Sequence, residues 1–211
     1  MDILAETARM APIYETGHPL HGATDVINTQ GVQAYIMSDH SLLIPGTNAK
    51  NDWWSFNLQF GTVLGSQIGW AELESSVGTA KWYRGFAKHA RILYLALNGW
   101  KPKRIIGHSL GGASAQILGA FYGVPTLSLA APRPRKGSAK LKKEGWVLNI
   151  TYEKDLIQAA PPYEFGYRYV GSSRIMKAVA GSSKALHSPT DYYPIVQRDI
   201  ASGRLPAQWP P

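Results

Sequence analysis

The stretch RIIGHSLGGASA, residues 104–115, decides how this chain folds. Its apolar start is typical of a buried strand, and the small residues after it are typical of a helix packed closely on that strand. Between them, the pentapeptide GHSLG at Gly107–Gly111 has the G-x-S-x-G spacing of a nucleophile elbow. Its two glycines remove side chains that would collide with the turn. The stretch therefore predicts a strained serine, Ser109, at a helix N-terminus, where the helix dipole favours an anion.

Length and composition indicate a single globular domain. The chain has 211 residues, which suits one domain over residues 1–211. Its longest apolar runs are too short to span a bilayer. The chain contains no cysteine, which excludes disulfides, thiol nucleophiles and thiolate metal sites, and it has no H-E-x-x-H motif. We expect no cofactor and no bound metal.

The net charge of +8 at pH 7 favours approach to anionic surfaces, such as a membrane or a cell-envelope polymer. The densest basic cluster consists of Arg133, Arg135, Lys136, Lys140, Lys142 and Lys143. No aromatic residues are interleaved to stack on bases, so we interpret the cluster as a solvated loop and expect no specific nucleic-acid binding. The N-terminus lacks the features of a secretory signal, which predicts a cytoplasmic protein unless another route releases it. The sequence does not indicate an oligomeric state.

Apolar runs on either side of the elbow predict the rest of the sheet. Residues 33–37 and 42–44 are predicted to form a hairpin, and residues 126–131 and 147–152 are predicted to be buried strands. Apolar residues at helical spacing predict an amphipathic helix over 86–98. Helices alternating with apolar strands indicate an α/β fold with a mostly parallel central sheet and helices on both faces.

The first 30 residues carry weaker patterns. Residues 2–11 are predicted to form a short amphipathic helix, and residues 12–30 are predicted to be irregular. His18 and His21 have H-x-x-H spacing, but no other ligand type lies near them in the sequence. We therefore assign these two histidines no role.

The segment after the hairpin contains a candidate anion-binding amide and a cluster of aromatic residues. In Pro45–Thr47 the proline ends the strand and the glycine permits a backbone turn, so the Thr47 amide lies at the carboxyl end of a central strand. This amide is a candidate oxyanion donor. A helix-like stretch follows with three large side chains, which belong to Trp53, Trp54 and Phe56. We interpret this stretch either as part of the core or as a mobile flap over the active site.

Chain order selects the partners of Ser109. With this type of elbow, an acid follows the serine and a histidine follows the acid. Of the six histidines, only His187 comes after an acid that itself follows Ser109. Asp155 is the one aspartate between Ser109 and His187, and it lies just past the strand at 147–152, with Glu153 as the fallback acid. We therefore predict Ser109, Asp155 and His187 as a catalytic triad.

Six blocks of sequence share one order with a known family; they are Pro45–Thr47 with Asp52 and Trp53, Arg84–Phe86, Gly107–Gly112, Ala131–Arg133, Asp155 with Ala160–Pro162, and His187 and Ser188 with Tyr192. In this order they resemble the class 3 (fungal-type) triacylglycerol lipases over about residues 30–195. The resemblance implies an α/β-hydrolase fold and an oxyanion hole formed by the amides of Thr47 and Leu110. It also implies a lid after Thr47, which we assign to residues 48–60.

The resemblance further implies a serine esterase or lipase that hydrolyses acylglycerol-type carboxylic esters through an acyl-enzyme. Pro45 and Tyr83 stand where the family usually has an arginine and a histidine, so the resemblance does not define the acyl chain. Two alternatives stay open. One is an esterase or acyltransferase that acts on cell-envelope esters, which the positive charge suits. The other is a non-catalytic binding module on the same fold.

Overall fold

The computed structural model describes residues 1–16, 20–46, 81–178 and 186–210. The helices and strands in chain order are α1 (Ile3–Thr16), β1 (Ala23–Thr29), β2 (Val32–Met37), β3 (Ser41–Ile44), β4 (Lys81–Trp82), α2 (Arg84–Ala96), β5 (Arg104–His108), α3 (Ser109–Tyr122), β6 (Thr126–Leu129), β7 (Arg135–Lys136), β8 (Val147–Tyr152), β9 (Tyr167–Arg168), β10 (Ser172–Met176) and α4 (Pro189–Ala201). None of the helices in these described ranges is long and apolar enough to cross a membrane.

A seven-stranded sheet forms the centre of the molecule, with the strand order β1-β2-β3-β5-β6-β8-β10. The five strands from β3 to β10 in this order are parallel, whereas β1 and β2 are antiparallel additions at one edge. Every residue of β6 and β8 is buried, as expected for central strands covered on both faces. The predicted mostly parallel sheet is confirmed. A small antiparallel sheet of β4, β7 and β9 was not predicted.

Helices cover both faces of the large sheet. Because successive side chains of a strand point to opposite faces, Leu42 and Ile44 of β3 pack with α2 and α3, whereas Leu43 packs with α1 and α4. Helix α2 buries an apolar stripe that includes Phe86 and Leu93, and its remaining positions are more polar. Helix α3 is buried along nearly its whole length, which its alanines and glycines permit. The elbow helix is therefore the innermost helix on its side of the sheet.

Predicted boundaries were most accurate where the strands are buried. The strand predicted at 147–152 is β8, and the hairpin predicted from 33–37 and 42–44 is formed by β2 and β3. The predicted strand at 126–131 ends at Leu129, because Ala130 has a positive φ of 52°.

The prediction of an irregular segment over residues 12–30 was wrong. Helix α1 continues through Pro12 to Thr16, and β1 then occupies Ala23–Thr29. Among the described strands, β1 pairs with β2 alone and lies at the edge of the sheet, and most of its residues are exposed. An edge strand with little buried surface has no apolar alternation, so its sequence did not indicate a strand.

Candidate active site

The elbow forms where the motif predicts it. Strand β5 ends at His108, and α3 begins at Ser109, whose φ of 54° lies in the left-handed region. A Cβ atom on Gly107 would lie 2.4 Å from the carbonyl oxygen of Gly111, and one on Gly111 would lie 2.2 Å from the carbonyl oxygen of Ile44. These contacts are with backbone atoms, so no side chain can fit. The elbow serine is thus held in a strained conformation by close backbone packing.

Gly46 contributes to the site in a different way from the one predicted. Its φ does not lie in the left-handed region, so it is not needed there for a backbone turn. A Cβ atom at this position would instead lie 2.9 Å from the Cβ of Ser109 and 3.2 Å from Nδ1 of His108. The glycine therefore lets the chain leaving β3 pass directly against the elbow.

The structure brings the three predicted catalytic residues within hydrogen-bonding distance. Nε2 of His187 lies 3.0 Å from Oγ of Ser109, and Nδ1 of His187 lies 2.9 Å from Oδ2 of Asp155. An ionised carboxylate only accepts hydrogen bonds, so the imidazole proton belongs on Nδ1. Nε2 is then free to accept the hydroxyl proton of Ser109. Ser109 and Asp155 are buried, whereas the side chain of His187 is 30% exposed.

Asp155 is held by more than His187. The Tyr192 hydroxyl donates to Oδ2 of Asp155 at 2.8 Å, and the Ile157 amide donates to Oδ1 at 3.0 Å. The same Tyr192 oxygen accepts the Tyr152 amide at 2.9 Å. Burial, and then the nearby Asp155 carboxylate, raises the pKa of Tyr192 far above its usual range. The phenol consequently keeps its proton and remains a donor to the carboxylate.

His187 lies immediately before Ser188, the N-cap residue of α4. Ser188 caps that helix by accepting the Asp191 amide at 3.1 Å, and Pro189 occupies the first helical turn. On the other side, Nε2 of His108 lies 2.7 Å from the carbonyl oxygen of His187. His187 is therefore held through its main chain as well as through its ring.

Glu153, the fallback acid, points elsewhere. Its carboxylate accepts the Ala178 amide at 2.7 Å and pairs with Lys177 at 3.2 Å. The Ala178 hydrogen bond, together with Lys177, lowers the pKa of Glu153 below its ordinary value. Its partners lie at the end of β10, so the described contacts link Asp155 and not Glu153 to His187.

Of the two predicted oxyanion donors, Leu110 is described. It is the second residue of α3, and the first amides of a helix have no hydrogen-bond partner inside the helix. Thr47, the lid predicted at 48–60 and the aromatic residues within it, Trp53, Trp54 and Phe56, lie outside the described residues. His18 also lies outside them. Within the described ranges, no three histidine, aspartate or glutamate side chains are grouped so that they could hold a metal.

The basic cluster is divided between structural and exposed side chains. Arg135 is buried and donates to the carbonyl oxygens of Lys81 and Lys136. Arg133 donates to carbonyl oxygens of the loop after Asp155, at Ala159 and Pro161. The exposed members are Lys140, Lys142 and Lys143. The cluster therefore consists of one buried arginine, two half-buried cations at Arg133 and Lys136, and three exposed lysines.

Two residues of the site were not assigned roles from the sequence. Tyr192 appeared only as part of a matching block, and His108 only as a variable position of the elbow motif. The hydrogen bond of Tyr192 joins residues that are 37 positions apart in the sequence, and that of His108 joins residues 79 positions apart. No local spacing of residues reveals such contacts. The sequence could have indicated these two residues only by their closeness to the predicted triad. His108 is adjacent to Ser109, and Tyr192 follows His187 within the first turns of α4.

The fold is shared with fungal lipases of known structure. Lipase II from Rhizopus niveus superimposes with a TM-score of 0.54 at 14% identity, over 83% of this chain and 80% of that one. The mono- and diacylglycerol lipase from Aspergillus oryzae gives 0.54 at 15% identity, over 85% and 78%. The Rhizomucor miehei lipase in its propeptide complex gives 0.52 at 14% identity, over 92% and 75%.

Sequence comparison adds no closer relationship: no protein-family model and no curated protein matches the chain. At these identities the structural likeness concerns the fold, which is the α/β-hydrolase fold that the sequence resemblance implied. The resemblance to fungal lipases is confirmed at that level.

Proposed function

We propose that this protein is a serine carboxylic ester hydrolase, a lipase or esterase, in which Ser109, His187 and Asp155 act as a catalytic triad. The observation that carries the proposal is the chain of hydrogen bonds at the elbow, 3.0 Å from Ser109 to His187 and 2.9 Å from His187 to Asp155. A serine with a left-handed φ, an imidazole within hydrogen-bonding distance of its hydroxyl and a buried carboxylate are the parts that acyl transfer needs.

In the proposed reaction, Nε2 of His187 takes the proton of Ser109 as Oγ attacks the ester carbonyl. Asp155 keeps the imidazole in the required tautomer and stabilises the imidazolium that forms. His187 then gives its proton to the leaving alcohol, which leaves an acyl group on Ser109. Water, activated by the same imidazole, attacks this acyl-enzyme, and the acid leaves as the serine regains its proton.

The oxyanion requires donors aimed at the position where negative charge develops. The Leu110 amide belongs to the first turn of α3, where the helix dipole also favours an anion. We assign the second donor to the Thr47 amide on the basis of its place in the sequence. Removing one such donor typically costs about 10² to 10³ in turnover.

Lipid esters are the proposed substrates, because the solved proteins with this fold are described as lipases, including one that acts on mono- and diacylglycerols. An anionic membrane or envelope surface is the proposed setting, because the net charge is +8.

Initial rates on p-nitrophenyl esters from acetate to palmitate, with and without emulsified lipid, test the proposal. The native protein should hydrolyse them, Ser109→Ala should not, and a fluorophosphonate probe should label only proteins that retain Ser109. Ser173→Ala, which changes an exposed serine of β10, is the matched control and should behave as the native protein.

The ester series also separates the alternatives. Activity on long chains that rises at the lipid interface identifies a lipase, and activity confined to short chains identifies an esterase. Product transfer to added alcohols identifies an acyltransferase. No hydrolysis and no labelling of the native protein would overturn the proposal in favour of a binding module.

A further inference from the structure

We propose that His108, the residue before the nucleophile, is a positioning residue that holds the main chain of His187 and so sets the distance between the base and Ser109. This inference rests on the proposed function. It assigns a role to a position that the G-x-S-x-G motif leaves variable.

The first support is the contact itself. Nε2 of His108 lies 2.7 Å from the carbonyl oxygen of His187, and the two imidazole rings lie 4.9 Å apart between their centroids. A carbonyl oxygen only accepts, so Nε2 of His108 carries a proton and donates it. His108 and Ser109 are consecutive residues, so one short piece of backbone presents the nucleophile and holds the residue that must deprotonate it.

The second support is that His187 has little regular structure to position it. Leu186 and His187 belong to no helix or strand, and α4 begins only at Pro189. The side chain of His187 is 30% exposed, whereas His108 is 1% exposed. A buried donor on the end of β5 is therefore a rigid anchor for a partly exposed residue. A displacement of about 1 Å in such a pair can cost about a hundredfold in rate.

The third support is the charge of the anchor. Burial, and then the neighbouring His187, lowers the pKa of His108 to about 3, so its imidazole is neutral near pH 7. A cationic donor 4.9 Å from the ring of His187 would oppose the imidazolium that forms during catalysis. A neutral N–H donor anchors the residue without this repulsion. The bond to the His187 carbonyl also keeps Nε2 of His108 from acting as a competing base.

Two amide variants with different reach test the role. The amide nitrogen of glutamine in His108→Gln reaches about as far as Nε2, whereas that of asparagine in His108→Asn falls short by one methylene. On p-nitrophenyl butyrate we expect His108→Asn to lose about 10-fold to 100-fold in kcat with KM within about twofold. His108→Gln should recover most of that loss. Circular dichroism verifies that both variants are folded.

A second measurement does not depend on turnover. The exchange rate of the His187 Nδ1 proton, followed by NMR in the native protein, should rise in His108→Asn and stay near the native rate in His108→Gln. Equal kcat and equal exchange in the two folded variants would overturn the positioning role. If the native protein hydrolyses no ester, the proposed function fails, and the exchange comparison still decides whether His108 holds His187.

Discussion

At the scale of single residues, Tyr192 orients Asp155 by a hydrogen bond to the same carboxylate that contacts His187. Its hydroxyl donates to Asp155 at 2.8 Å and accepts the Tyr152 amide at 2.9 Å, so one buried oxygen joins β8 to the carboxylate that follows it. Any change that removes this oxygen leaves a buried amide without its acceptor and the carboxylate with one donor fewer. Such groups are costly to leave unpaired in a protein interior.

Tyr192→Phe keeps the ring and removes only that oxygen. We expect the free energy of unfolding to fall by about 1 to 3 kcal/mol, because a buried amide loses its acceptor. We also expect kcat to fall several-fold with little change in KM, because Asp155 is oriented less firmly. Urea unfolding and steady-state kinetics measure the two effects. Tyr163→Phe, at a position 69% exposed, is the control, and equal behaviour of the two variants would contradict the assignment.

At the scale of helices and strands, α2 and α3 meet through a buried polar pair. Nδ1 of His89 lies 2.8 Å from Oγ of Ser114, and burial lowers the pKa of His89 to about 4. The pKa of His108 is lowered to about 3, mainly by burial. As the pH falls below the unfolded value near 6.5, the unfolded chain binds protons at both histidines and the folded chain does not. The stability from these neutral histidines is therefore complete above pH 6.5 and is lost on acidification.

His89→Gln tests this pH dependence. Between pH 6.5 and 5, each buried neutral histidine contributes an average slope of about 1 kcal/mol per pH unit to the free energy of unfolding, because the unfolded imidazole is only half protonated at pH 6.5. The variant lacks one of these two titrations, so its slope should be smaller than the native slope by about that amount. Urea unfolding at several pH values gives both slopes. An unchanged slope would show that His89 titrates alike in the folded and unfolded chains.

Close packing of α3 on β3 predicts an asymmetry between two glycines. A Cβ atom on Gly111 would lie 2.2 Å and 2.3 Å from the carbonyl oxygens of Ile44 and Pro45, whereas one on Gly145 would meet nothing within 4 Å. Gly111→Ala must push the elbow helix away from the strand. We therefore expect the free energy of unfolding to fall by about 1 to 3 kcal/mol and the ester hydrolysis activity to be lost. Gly145→Ala should leave both within experimental error. Thermal unfolding and ester hydrolysis compare them, and similar effects of the two substitutions would be inconsistent with this packing.

The sequence predicted the buried strands of this fold better than the exposed ones. The buried strand β8 was predicted to its ends because all of its residues are enclosed, whereas β1 was missed because most of its residues face solvent. Strands β4, β7 and β9 have two residues each, too few for any periodicity. Chain order was enough to select Asp155 and His187, because few acids and one histidine follow the serine. The contacts of Tyr192 and His108 depend on the folded chain, so they required the structure.

At the scale of the whole molecule, the two ends of the parallel sheet carry different kinds of polar residues. Ser109 follows β5, and Asp155 follows β8, so the proposed chemistry lies at the carboxyl ends of the strands. At the other end of β5, Arg104 and Arg9 pair with Glu6 and Asp39, which ties α1 to the turn between β2 and β3. The opposite end of the sheet thus carries a charge-balanced cluster of two cations and two anions.

Outside this balanced cluster, lysine and arginine outnumber aspartate and glutamate, and the net charge of the whole chain is +8. A field of this sign attracts the protein to anionic surfaces and is screened by salt, because the Debye length falls from about 10 Å at 0.1 M to about 3 Å at 1 M. Ser109→Ala protein, which leaves lipid intact, should therefore sediment with vesicles containing phosphatidylglycerol and not with phosphatidylcholine alone. The binding should weaken steeply as salt is added.

Two triple variants with equal net charge distinguish a field of the whole molecule from a local patch. Both replace exposed lysines by glutamine and lower the net charge from +8 to +5; one changes Lys140, Lys142 and Lys143, and the other changes Lys88, Lys101 and Lys103. If the field of the whole molecule drives binding, the net charge matters more than the position of each lysine, so we expect the two variants to lose vesicle affinity to within about twofold of each other at low salt. A loss confined to the first variant would instead assign the membrane contact to the loop before β8. Equal binding of the native protein to charged and uncharged vesicles would contradict electrostatic attraction as the cause of its vesicle binding.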